Sequence, residues 1–361
     1  MPEATRQDRY SGTKDVADAL SFDTARLETY LAEHIDGFAG PLEVRQFKGG
    51  QSNPTYQLIT PDRKYVLRRK PPGKLLPSAH AVDREFRIIS ALHPTGFPVA
   101  RPYLLCEDDA VIGTMFYVMD CVEGRIFWDG TLPGLDPAER RAIYDAMNQT
   151  LAQLHGIDYQ NAGLGDYGKP GNYIARQIAR WSKQYQASET ETITEMDKLI
   201  AWLPAHLPQD ERASIVHGDF RIDNMVMHPS EPRVLAVLDW ELSTIGDPLA
   251  DFTYHLMQWQ MPTLDALSSG SLLGQDLHAL GIPTVEDYVA SYCRRTGRTT
   301  IPDMNYYAAY NFFRLAGILQ GIVGRVRDGT AANANAAQNA AAVRPLAERA
   351  WHFAKLAGAG R

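Results

Sequence analysis

The order of hydrophobic patterns along this chain predicts an α+β fold of two lobes, a small antiparallel sheet followed by a mostly helical body. Three observations predict it. Apolar residues recur with a period of two in short runs up to about residue 119. Beyond Gly124 helical spacing takes over. The strand pattern that then returns, Val234-Leu235-Ala236-Val237-Leu238, is a short apolar run ending at an acid. At 361 residues the chain is long enough for each lobe to enclose a core.

Residues up to about Leu20 are polar and are expected to be poorly ordered. Asp23 then reads as an N-cap, with Leu27, Tyr30, Leu31 and Ile35 at helical spacing and Gly37 and Gly40 ending the helix. Leu42 to Phe47 and Thr55 to Ile59 alternate as paired strands around the turn Lys48-Gly49-Gly50-Gln51-Ser52-Asn53. Tyr65 to Arg69 is a third strand, stopped by Pro71-Pro72-Gly73. A helix is expected from about Ser78 to Leu92, then strands around Tyr103–Leu105 and Met115–Met119. The division read from these patterns is 1–40 as tail and helix, 41–118 as the sheet lobe, 119–124 as a hinge and 125–361 as the helical lobe. The biased segment from Thr330 to Ala342 reads as a weak helix or a mobile loop.

Composition narrows the function classes. The chain is 45% hydrophobic and 22% charged, with a net charge of -7, which argues against nucleic acid as a partner. The three cysteines are widely spaced, as expected for reduced thiols in a cytoplasmic protein. No apolar run reaches the roughly 18 residues that span a bilayer, so no membrane partner is expected.

The chemistry lies in two pieces. Val216-His217-Gly218-Asp219-Phe220-Arg221-Ile222-Asp223-Asn224-Met225 has the form H-x-D-x-x-x-x-N, and Val237-Leu238-Asp239-Trp240-Glu241 follows it. An acid that takes a hydroxyl proton (Asp219), an amide that binds Mg²⁺ (Asn224) and a later acid that holds metal against nucleotide phosphates (Asp239) are the parts that phosphoryl transfer requires. His217 reads as a structural residue of the loop, and Glu241 as an acid that supports the metal's waters. On the third strand the period of two puts Val66, to cover an adenine, beside Arg68, to reach the α/β-phosphates of ATP. Glu85 shares a helix face with Val82 and Ile89, where a carboxylate needs a cation, and Arg68 supplies it. The turn with Gly50, Ser52 and Asn53 offers backbone N–H groups to phosphate. The backbone of Asp120 and Val122, where strands give way to helices, is placed to pair with adenine.

The run Gly-Gly-x-Ser-Asn, Val-Leu-Arg, Glu85, His-Gly-Asp-Phe-Arg-Ile-Asp-Asn and Leu-Asp-Trp-Glu resembles the aminoglycoside phosphotransferase family of the protein-kinase-like superfamily. Residues 65–80, Gly246 to Phe252 and Phe313 to Gly321 resemble a subgroup, the kinase-like domain fused to certain acyl-CoA dehydrogenases. The resemblance implies a bilobal protein-kinase-like fold, ATP and Mg²⁺ as cofactors, and a hydroxyacyl thioester or related small hydroxy compound as acceptor. An aminoglycoside kinase and a non-catalytic nucleotide or acyl-CoA-binding module are the alternatives. The family also inserts helices that build the acceptor pocket, here about residues 157–205. Arg180 and Trp181 within that stretch are candidate substrate residues, with Glu241 and Arg314. Arg314 sits in an apolar helix where a buried guanidinium needs an anion, which makes it a site candidate for an anionic ligand; Asp251 or Glu241 is the alternative anion. Arg68 departs from the lysine usual in the family, keeping the charge but gripping phosphate as a fork.

Overall fold

The computed structural model describes residues 7, 10–48, 53–71, 81–209, 212–264, 271–328 and 336–360. In chain order the described strands are β1 (Thr13–Lys14), β2 (Glu43–Phe47), β3 (Thr55–Ile59), β4 (Lys64–Arg69), β5 (Pro102–Cys106), β6 (Phe116–Asp120), β7 (Ser214–Val216), β8 (Met225–Met227), β9 (Val234–Val237) and β10 (Thr244–Gly246). The longer helices are α1 (Thr24–His34), α2 (Val82–Leu92), α3 (Pro137–Gly156), α4 (Tyr173–Ser188), α5 (Thr194–Ala205), α6 (Pro248–Leu256), α7 (Val285–Thr296), α8 (Met304–Arg327) and α9 (Ala336–Leu356). The chain forms two compact units. One, the sheet unit, comprises Met1–Asp129, Gln160–Leu164 and Arg221–Ser243; the other, the helical unit, comprises Gly130–Tyr159, Gly165–Phe220 and Thr244–Arg361.

The sheet unit is built on a six-stranded antiparallel sheet of order β1-β2-β3-β4-β6-β5. Alternation sorts its side chains. Tyr56 and Leu58 of β3, Tyr65 and Leu67 of β4, and Phe116 and Val118 of β6 join Leu27 and Leu31 of α1 in one buried cluster. The side-chain oxygen of Asp23 caps α1 by accepting from the Arg26 N–H at 2.9 Å, as its sequence position suggests. The intervening residues Val66 and Arg68 belong to the other face, with Tyr117 directly opposite Arg68 on β6. Met225 pairs with Val237 in the hairpin β8–β9, and the Leu238 N–H donates to the Asn224 carbonyl at 2.8 Å, so Asn224 and Asp239 mark the same end of that hairpin.

Two expectations are corrected here. The polar stretch before Leu20 contains β1, paired through Thr13 with Phe47 and Lys14 with Gln46. A two-residue edge strand needs backbone partners rather than an apolar pattern, and an Asp15–Arg45 contact of 2.6 Å flanks it. The helix expected from Ser78 starts at Val82, after Ala81; residues 72–80 lie outside the described residues.

In the helical unit, Asp136 caps α3 with Pro137 at the first helical position, and β7 pairs with β10 antiparallel. Gly321 and Gly324 let α8 lie close to α4. A Cβ on Gly324 would meet the Ser188 Cβ at 2.5 Å. Of the Ala/Asn-rich segment, residues 336–342 open α9, whose buried stripe Val343, Leu346, Ala347, Ala350 and Ala354 repeats at helical spacing. Its residues 330–335 lie outside the described set. Among the described residues no helix is long and apolar enough to cross a membrane. All three cysteines are free thiols, Cys106 and Cys293 buried.

Candidate active site

In the sheet unit, Arg68 is the centre of a charged cluster. Its Nε lies 3.0 Å from Glu85 Oε2, its Nη2 donates to Asp239 Oδ1 at 2.7 Å, and Glu241 Oε2 is 3.8 Å away. Glu85 is 1% exposed and accepts from Asn53 Nδ2 at 2.8 Å and from the Tyr117 hydroxyl at 3.1 Å. Burial raises the Glu85 carboxyl, against the pull of Arg68. Burial works against the Arg68 charge as well, but Glu85 and then Asp239 outweigh it, and the guanidinium is held above its ordinary value. A guanidinium does not deprotonate in a protein, so the cluster keeps a fixed cation beside two acids.

Asp239 has φ 63°, in the left-handed region, and is followed by a turn of 3₁₀ helix, Trp240–Leu242. That turn is pinned by buried Trp240, whose Nε1–H donates to the Val237 carbonyl at 2.9 Å, and by the Ser243 hydroxyl on the Trp240 carbonyl at 2.6 Å. The described residues hold no group of three or more acids, histidines or cysteines able to cage a metal. Mg²⁺ in general takes one or two protein oxygens and completes its shell with waters and phosphates. Asn224 and Asp239, the residues expected to hold a metal, lie at one end of the β8–β9 hairpin.

In the helical unit, the loop His217–Phe220 carries Asp219. The His217 ring is fully buried and its Nδ1 accepts from the Asp219 N–H at 3.1 Å. Asp251 of α6 accepts from the His217 N–H at 2.7 Å and the Gly218 N–H at 2.8 Å, and its Oδ2 lies 3.3 Å from His155 Nε2. Burial alone would raise the Asp251 carboxyl, but His155 and the loop amide hold it below its ordinary value. Arg314 of α8 donates through Nη2 to the Gly218 carbonyl at 2.8 Å and lies over the Tyr254 ring at 5.0 Å. Asp251, one of the two protein anions named as alternatives to a ligand for Arg314, serves the loop amides and His155. A carbonyl and an aromatic face hold the guanidinium.

His255, one residue beyond Tyr254, points Nδ1 at the Phe220 carbonyl (3.1 Å) and Nε2 at the Tyr288 hydroxyl (2.8 Å). The carbonyl can only accept, so Nδ1 carries the proton and Nε2 accepts. Burial pulls this ring down from 6.5 to about 4. The neutral ring therefore favours the folded state fully above pH 6.5, and that stability is lost as pH falls towards 4. The gap is worth about 3 kcal/mol. Urea unfolding of His255→Gln should show a correspondingly smaller fall in stability over that window; an identical fall would assign it to another group. The lowered Asp251 contributes at more acid pH, below its ordinary 3.8.

The remaining expected residues are placed as follows. Val66 is buried next to Arg68 on β4. The Asp120 carboxylate accepts from the Tyr103 hydroxyl at 2.5 Å, its N–H donates to the Arg101 carbonyl, and Val122 is half-buried just beyond β6. Trp181 is buried on α4, with the exposed Arg180 guanidinium 4.9 Å over its ring. Gly50 and Ser52 lie outside the described residues. Tyr117 and Tyr254, and the contact of Asp251 with the loop amides, are not singled out by the sequence. Tyr117 had a signal, because β6 pairs with β4; the other two depend on α6 packing beneath a loop more than thirty positions away.

A family model described as "Phosphotransferase enzyme family" matches residues 43–288. Acyl-CoA dehydrogenase family member 10 of Mus musculus is 48% identical over 347 residues, 96% of this chain but 32% of its own length, so the chain spans about a third of that relative. A crystal structure from Ralstonia eutropha JMP134, provisionally named an aminoglycoside phosphotransferase, is 54% identical with a TM-score of 0.85, covering 93% of this chain and 99% of its own. A thermostable mutant of aminoglycoside phosphotransferase APH(4)-Ia, solved with AMP-PNP and hygromycin B, is alike in fold alone: 16% identical, TM-score 0.59, over 93% of this chain and 99% of that one. With the motifs, the sheet and these matches in agreement, the chain has a protein-kinase-like fold and belongs to the APH phosphotransferase enzyme family.

Proposed function

We propose that this protein transfers the γ-phosphoryl group of ATP to a hydroxyl of a small molecule, with a hydroxyacyl-CoA-like thioester as the acceptor class. Asp219 orients the hydroxyl and accepts its proton. Asn224 and Asp239 hold Mg²⁺, which when bound neutralises charge developing on the phosphates. Arg68, steadied by Glu85, Asn53 and Tyr117, aligns the phosphates. The carrying observation is the Arg68 cluster, where a fixed cation 3.0 Å from a buried acid adjoins the proposed metal acid at 2.7 Å. Support for the acceptor class comes from the relative named as an acyl-CoA dehydrogenase family member; support for ATP comes from the AMP-PNP held by APH(4)-Ia.

Replacing Asp239 with asparagine should abolish the Mg²⁺-dependent part of ATP binding in isothermal titration, by roughly tenfold or more, since the charge facing the metal is gone. Equal affinity with and without Mg²⁺ in both proteins counts against the metal role. ATP consumption screened against hydroxyacyl-CoAs, sugars and aminoglycosides tests the acceptor; a preference for aminoglycosides would replace the thioester class. A second reading, a nucleotide-binding module without chemistry, is favoured by the Arg68–Asp239 contact, which occupies an oxygen proposed for the metal. Mg²⁺-dependent ATP turnover would exclude it.

A further inference from the structure

We propose that Tyr254 is a positioning residue for phosphoryl transfer. In this proposal its hydroxyl pins one carboxylate oxygen of Asp219 and directs the acceptor's proton to the other. The proposal rests on the reading of Asp219 as the base, and deepens it.

One face of α6 holds the loop from His217 to Phe220 position by position. Asp251 takes the amides of His217 and Gly218, Tyr254 takes the Asp219 side chain, and His255 takes the Phe220 carbonyl. These residues stand at i, i+3 and i+4, which share a helix face. Three of the contacts are to backbone and fix the path of the loop. The Tyr254 contact is different, because it fixes a side-chain torsion. The phenol donates to Asp219 Oδ1 at 2.6 Å, the short range of a hydrogen bond to an ionised acceptor. The terminal torsion of an aspartate is otherwise broad.

The phenol is itself held. The Arg314 guanidinium lies 5.0 Å over its ring while Nη2 of the same group bonds the Gly218 carbonyl at 2.8 Å. Tyr254 and Arg314 therefore fix adjoining residues, one by side chain and one by backbone. In the step itself, the acceptor O–H bond breaks as the new O–P bond forms, and the γ-phosphorus leaves the oxygen bridging it to the β-phosphate. The acceptor's proton passes to Asp219 Oδ2. Tyr254 donates to Oδ1 throughout and loses nothing.

The test is Tyr254→Phe, which keeps the ring beneath Arg314 and removes only the hydroxyl. Steady-state ATP turnover with Mg²⁺ should show kcat lower by roughly 10–100-fold with KM for ATP unchanged, because misplacing a catalytic group by about 1 Å costs about that much. A second measurement does not depend on turnover. Labelling with a water-soluble carbodiimide, read by peptide mass spectrometry, should modify Asp219 several-fold faster in the variant once the phenol no longer covers Oδ1. The proposal requires both results. A loss of kcat without faster labelling marks a merely structural contact and overturns it, as does an unchanged kcat. Asp219→Asn, measured alongside, separates the two levels: full turnover there removes the parent reading, whereas its loss with a normal Tyr254→Phe enzyme removes this inference alone.

Discussion

Asp219→Asn is expected to lower Mg²⁺-dependent ATP turnover by roughly 10²–10⁴-fold, the range for losing a positioned general base. Nucleotide affinity, measured by isothermal titration, should stay within about twofold, because the residues proposed for phosphate and metal are others. Asparagine is the right probe. Its amide oxygen still accepts from the Tyr254 hydroxyl, and the amide N–H that donates to His217 belongs to the backbone, so the loop keeps its shape. Only the proton acceptor is lost. Turnover at the wild-type rate would show that another group takes the proton, and the assignment of the His-x-Asp motif would fall.

Arg68→Met is expected to produce the largest loss of stability. The Glu85 carboxylate would remain at 1% exposure with the Asn53 amide and the Tyr117 hydroxyl but without a cation. Breaking a buried pair from one side costs about 3–5 kcal/mol, because the remaining charge stays desolvated. Urea denaturation should show this as a lower midpoint with an unchanged slope. Adding Glu85→Gln should return much of the loss, since the uncompensated charge is removed with its partner, and this coupling is what a double-mutant cycle measures. A single variant as stable as the wild type would mean that Glu85 is carried by neutral donors alone. The Arg68–Asp239 contact would then be the part of the cluster that matters.

Legibility in the sequence followed the range of each interaction. Strands β2 to β6, β9 and α1 were read from local periodicity and capping, and they stand within a residue or two of their expected bounds. The Arg68–Glu85 pair was legible for a less local reason: an acid on an apolar helix face has few affordable neighbours, and a strand of period two offered one. The spacing of Asp219, Asn224 and Asp239 was visible as a pattern, and the β8–β9 register explains why the last two keep company. What was not legible needed tertiary facts. Arg69 has no assigned role in the sequence beyond ending the third strand. It is 2% exposed because the carbonyls of Ile112 and Leu20 accept from it, and the rings of Phe22 and Tyr56 flank it. No window around Arg69 announces those partners. For Arg314 the sequence pointed to an anion, but it did not announce the Gly218 carbonyl and the Tyr254 ring that meet the guanidinium, contacts that a residue-type argument does not reach.

The backbone at Asp239 carries a last implication. Its φ of 63° excludes β-branched residues and is costly for most others, whereas aspartate, asparagine and glycine adopt it readily. Of those three, aspartate alone brings a formal charge. The kink and the electrostatics thus restrict this position from two independent sides. If Asp239 holds the metal as proposed, drift through asparagine or glycine would remove that charge at little backbone cost, a ready route from a transferring scaffold to one that merely holds phosphate.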